Sequence, residues 1–130
     1  MNKASIRKKV MKEMYQIYYD VDKEYIDWMG YKIDEDNYPT YHHIEKREDL
    51  IKENKDIEAT IENGAYLGIK SHQMLHDIEK IDKELYYSWN QLFLLINKMK
   101  CYPVDDVIKM INRLKDISEQ LLEENKSKNM

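Results

Sequence analysis

The histidines of this chain are few and grouped. All four lie between positions 42 and 76, as an adjacent pair, His42-His43, followed by His72 and His76. His72 and His76 are four residues apart in a stretch with helical periodicity. That spacing sets them about 40° apart around the axis, facing the same way, so the pair can share one metal ion. Adjacent strand residues point to opposite sides, so His42 and His43 are expected to do different jobs. One can be a ligand while the other acts on a substrate from another direction. A neutral imidazole, with an ordinary pKa of about 6.5, can take a proton from water, and a metal can stabilise charge developing on a phosphate and its leaving oxygen. That division suits phosphodiester hydrolysis. No rival nucleophile stands out: Cys101 sits beside Tyr102-Pro103 with no histidine near it in sequence. No glycine-rich phosphate cradle is present either.

The elements that must position these residues are mainly helical, because glycine (3) and proline (2) are scarce and apolar periodicity is long. Ile6, Val10, Met14, Ile17, Val21 and Tyr25 predict a first helix, ending near Trp28 to Gly30. Pro39 and Thr40-Tyr41-His42-His43-Ile44 predict a short strand, and Ala65-Tyr66-Leu67-Gly68-Ile69 a second one after the turn signal Asn63-Gly64, which favours positive φ. The charged stretch from Glu45 to Thr60 reads as a long loop. Ser71 is the expected N-cap of a helix carrying His72, His76 and Glu79. The helical pattern runs on to Met99 with a break near Asp82 and stops before Pro103. A last helix sets Val104, Val107, Ile108, Ile111, Leu114, Ile117 and Leu121 on one side, with a frayed polar end after Glu123. The organisation is one domain over 1–130: an N-terminal helix to 30, a core over 33–79, a helical extension over 80–124 and a tail over 125–130.

Composition narrows the classes further. With 42% hydrophobic residues the chain can build a core, and no run approaches the roughly 18 apolar residues of a membrane span. The start of the chain has charge without an apolar stretch behind it, unlike a secretory signal, and a single cysteine leaves no disulfide framework, so a cytoplasmic location is expected. The net charge of -4 argues against coating nucleic acid by bulk positive charge. The average hides a local contrast. Lys3, Arg7, Lys8, Lys9 and Lys12 precede any acidic residue, and Asp20, Asp22, Glu24, Asp27, Asp34, Glu35 and Asp36 follow. The basic run suits contact with a DNA backbone as well as it suits a solvated face.

Tyr41-His42-His43-Ile44, then Asn63-Gly64-Ala65-Tyr66-Leu67, then Ser71-His72-Gln73-Met74-Leu75-His76-Asp77-Ile78-Glu79 together resemble the H-N-H nuclease motif. The nine-residue step from Asn63 to His72 and the four-residue step to His76 match that family's spacing, and the likeness is greatest to small proteins of phages and mobile elements. The resemblance implies a mainly α chain with a small β-hairpin: a ββα-metal core with flanking N- and C-terminal helices. It implies His43 as the general base, and His42 and His72 as ligands of one divalent ion, with His76 a third ligand or a phosphate contact. Asn63 would hold the loop that orients the base. Glu79, three residues after His76, would orient that ring from outside the metal shell. The ion would stabilise the leaving 3′ oxygen, giving a 5′ phosphate and a 3′ hydroxyl. Mg, Mn, Ni and Zn all remain open. Many relatives are braced by two Cys-x-x-Cys pairs around a structural zinc. Here Gly68 and Ser71 stand where one such pair would be, so the helices are expected to do the bracing.

The expected substrate is DNA, with Lys46 and Arg47, three and four residues after His43, gripping phosphate. The activity implied is that of an endonuclease or nickase, encoded by a phage or mobile element and acting in the bacterial host cell. The alternative is a protein of the same fold that binds and inhibits a host nuclease, of a CRISPR or restriction system for example, without hydrolysis. No membrane partner is expected. The chain is read as a monomer or as a homodimer through its last helix.

Overall fold

The structure is a computed structural model, and it describes residues 5–6, 8–12, 26–44, 63–99 and 105–128. Strand β1 (Pro39–His43) pairs antiparallel with β2 (Gly64–Gly68), in a register that sets His42 opposite Ala65 and His43 opposite Gly64. Helix α1 (Ile69–Ile81) leaves β2 directly, followed by α2 (Lys83–Met99) and α3 (Asp105–Lys128). The described chain is thus mainly helical around one small hairpin. No described helix is long and apolar enough to cross a membrane.

The core lies where the three helices meet the hairpin. Its fully buried members include Leu67, Leu75, Ile78, Trp89, Phe93 and Ile96, with Met29 contributed by the segment before β1. The break expected near Asp82 is present. Asp82 ends α1 in extended conformation, and its carboxylate accepts from the N–H groups of Glu84 and Leu85, so one residue closes one helix and caps the next. Helices α2 and α3 are joined by a relay from the Trp89 indole N–H to the Ser118 hydroxyl (2.9 Å), which donates to the Leu114 carbonyl (2.7 Å).

Several boundaries differ from the sequence reading, each for a physical reason. The first helix does not reach Trp28: residues 27–30 form a turn, Ile26 bridges to Lys32, and Gly30 takes the positive φ (87°) that the turn requires. Gly64 is instead a strand residue in register with His43. Ser71 is not the N-cap of α1. Gly68 holds that position, and Ser71 is a buried residue inside the helix. Helix α3 runs to Lys128, past the expected fraying point at Glu123. Within it Ile117 faces solvent and Ser118 takes the core position, because the Trp89 indole N–H needs an acceptor there.

The bracing of the hairpin comes from a carboxylate as well as from helices. Asp27 is 3% exposed and accepts from the N–H groups of Met29 and Tyr31 on Oδ1, each at 3.0 Å, and from Gly68 N–H on Oδ2 at 2.9 Å. One side chain therefore ties the 27–31 turn to the start of α1. Burial pushes its carboxyl pKa up, while the nearby Ser71 hydroxyl and the three backbone donors oppose that shift. Asn37 adds a second tie, with Nδ2 donating to the Lys32 carbonyl and Oδ1 accepting from Lys70 N–H, both at 2.8 Å. From α3, Lys115 donates to the Gly30 carbonyl and lies over the Tyr31 ring, whose hydroxyl donates to Glu119.

Candidate metal centre

The alternation of β1 and the turn of α1 bring three of the four histidines together. His42 projects from β1 toward α1, where His72 and His76 occupy successive turns of one face. The His42 ring lies edge-on to His72 and His76, with centroids 5.3 and 5.9 Å away, and the two helical rings stack 4.9 Å apart. Each ring offers one nitrogen, and the three nitrogens lie within 4.8 Å of one another. Exposure increases outward: His42 is buried, His72 half-buried and His76 exposed, so the cluster opens at His76.

The fit of this cluster to a metal rests on its electrostatics and its outer partners. Three imidazoles held this close would repel one another if protonated. Burial instead pulls the pKa of His42 down from 6.5 to about 3 and that of His72 to about 4, with the neighbouring histidines adding to both shifts. Both rings are therefore neutral near pH 7, the form that binds metal. The outer hydrogen bond of His72 also aims its free lone pair. The Thr40 hydroxyl donates to the Leu67 carbonyl (2.8 Å) and lies 2.9 Å from His72 Nδ1. With its proton already committed, that hydroxyl accepts from Nδ1–H, which leaves Nε2 of His72 free to ligate. His76 Nδ1 lies 3.4 Å from Glu79, the carboxylate that the sequence placed beside it.

Helix α2 closes the inner side of the site. Tyr86, Asn90, Phe93 and Asn97 fall at steps of four, three and four, one face of a helix. The Tyr86 and Phe93 rings lie 6.2 and 5.9 Å from that of His42, and Asn90 Oδ1 is 2.9 Å from His42 Nε2. Asn97 donates to the Gly64 carbonyl at 2.8 Å, opposite His43 in the ladder. Neither Thr40 nor Asn90 was among the site residues expected from sequence. Their only signal there is position, two residues before His42 for Thr40 and a polar residue on the apolar face of a helix for Asn90.

His43 is turned away from the three-histidine cluster and meets the Tyr41 ring edge-on, with centroids 4.8 Å apart. It is half-buried at the last position of β1. Asn63 stands beside it across the ladder, and its carbonyl accepts from Ile44 N–H at 2.8 Å, which fixes the chain just after His43. Lys46 and Arg47 lie outside the described residues. Of the basic N-terminal run, Lys8, Lys9 and Lys12 are exposed on helical backbone, whereas Val10 and Met11 pack against the core. No protein-family model matches this chain, and no curated protein or solved structure was found similar to it.

Proposed function

We propose that this chain is a metal-dependent DNA endonuclease or nickase of the H-N-H type. The observation that carries the reading is the convergence of three imidazoles from β1 and α1, with a fourth, His43, on the adjacent residue facing the other way. His42, His72 and His76 would hold one divalent ion. When bound, such an ion supplies charge stabilisation at the phosphate and at the leaving 3′ oxygen. His43 takes a proton from water, whose oxygen forms the new bond to phosphorus as the bond to the 3′ oxygen breaks. Asn63 keeps the backbone after His43 in place through its carbonyl. Lys46 and Arg47 would grip the phosphate, and Lys8, Lys9 and Lys12 would add contacts to the DNA backbone.

The test is nicking of supercoiled plasmid with Mg, Mn, Ni or Zn, by the wild type and by His43→Ala. The expected result is nicking with at least one metal and a loss of about 10²-fold or more in the variant, with metal affinity unchanged. No cleavage with any of these metals, or equal cleavage by both proteins, refutes the proposal. The other reading is a protein with this core that binds and inhibits a host nuclease. It is favoured by a cleft away from the histidines whose charged lining is mixed, Asp34, Asp36, Glu119 and Glu123 with Lys32, Lys70 and Lys126, which suits a protein surface better than a phosphate backbone. That reading requires a stable protein complex that survives His43→Ala and is lost on charge reversal in the cleft.

A further inference from the structure

Helix α2 lies outside the hairpin and helix that carry the histidines, yet it reaches the innermost ring. Asn90 is 8% exposed and is flanked on α2 by the buried aromatics Tyr86, Trp89 and Phe93. A carboxamide in such a place costs stability unless it is hydrogen-bonded. Its oxygen lies 2.9 Å from His42 Nε2. That oxygen has only lone pairs, so the contact is a hydrogen bond when Nε2 carries the proton. A neutral imidazole has one N–H, which leaves Nδ1 of His42 with the free lone pair. We infer that Asn90 is a positioning residue of the metal centre: it holds His42 as the Nε2-protonated tautomer, so that Nδ1 is the nitrogen offered alongside His72 and His76.

This inference rests on the proposed metal centre and is independent of hydrolysis. Asparagine suits the task better than the alternatives at this depth. Alanine or leucine would leave the ring free to adopt either tautomer. Aspartate would accept the same proton more strongly but would have to be ionised in an apolar wall between Tyr86 and Phe93. The rings at 6.2 and 5.9 Å fix the plane of the imidazole, and Asn90 fixes which edge of it is protonated. The helical extension is therefore part of the site as well as its support.

The experiment uses the full chain, labelled with ¹⁵N, and begins without metal. Long-range ¹H–¹⁵N spectra of the wild type should show His42 protonated at Nε2, a result that requires no variant. Co(II) titrations in competition with a chelator then compare the wild type with Asn90→Ala and Asn90→Asp. Loss of an outer partner of this kind weakens metal binding by roughly 10–100-fold, the expected result for Asn90→Ala, together with loss of the single His42 tautomer. Asn90→Asp should keep the tautomer and bind Co(II) more tightly than Asn90→Ala. A His42 protonated at Nδ1, or Asn90→Ala binding Co(II) as the wild type does, overturns the inference. Absence of DNA nicking alongside these shifts would remove the nuclease reading and leave the role of Asn90 standing.

Discussion

Acid should destabilise the metal-free protein through His42. The ring is 2% exposed, and burial lowers its pKa from 6.5 to about 3, with the Asn90 bond working against that shift. Because the folded value lies below the unfolded one, falling pH protonates the unfolded chain first. Stability is then lost from about pH 6.5 downward until the folded ring titrates near pH 3. The linkage relation gives a loss of about 2 kcal/mol at about pH 5. That is a large share of a stability of roughly 5–15 kcal/mol. His72 acts in the same direction, with a pKa lowered to about 4. Asp27 acts in the opposite direction: its raised carboxyl pKa means that the folded state holds a proton longer, so its contribution falls as pH rises. A bare pH profile mixes these groups, so the measurement is a difference. His42→Gln keeps an N–H donor toward Asn90 and does not titrate. Urea unfolding in the presence of a chelator, at about pH 7.5 and about pH 5, should show the wild type losing about 2 kcal/mol more than His42→Gln. Equal losses would show that His42 is not held neutral in the interior, and the account of the site's electrostatics would fail.

Three further outcomes follow from other parts of the molecule. Asp27→Ala strands the N–H groups of Met29, Tyr31 and Gly68, and at about 1–3 kcal/mol each it should cost at least about 3 kcal/mol in chemical denaturation. A change under about 1 kcal/mol would mean that these donors find other partners. Gly68→Ala drives a methyl group into the Asn37 side chain, so it should lose about 1–3 kcal/mol and lower the melting temperature, and an unchanged melting temperature would show that Asn37 swings aside at no cost. Thr40→Val removes the acceptor at His72 Nδ1 with little change in shape. Its Co(II) affinity should fall roughly 10–100-fold by chelator competition, and an unchanged affinity would rule out the Thr40 relay.

The sequence was most legible where chemistry and local periodicity coincide. The i, i+4 spacing of His72 and His76 placed both rings on one helix face, and alternation separated His42 from His43 on β1. The break at Asp82 was readable because an acidic residue there interrupts an apolar pattern on both sides. Long-range polar pairing was not legible. Asp27 sits in an acidic run whose other described members, Asp34, Glu35 and Asp36, are exposed, and only its contact with Gly68, 41 residues away, marks it as buried structure. Asn90 is likewise defined by a ring 48 residues earlier. The choice of Ser71 as a helix cap failed because capping preference is local, whereas the start of α1 is set by ties from Asn37 and Asp27 at the end of β2. The motif around the histidines pointed to their cluster but carried no information about α2, which lies beyond it.

The Asp27 tie also bears on whether folding depends on a metal. A domain whose hairpin is braced by a structural ion unfolds when that ion is stripped, so its folding follows metal supply. Here the brace is a side chain synthesised with the rest of the polypeptide. A chelator would therefore strip any ion from the histidine cluster and leave the fold standing, so folding and occupancy of the cluster are separate events.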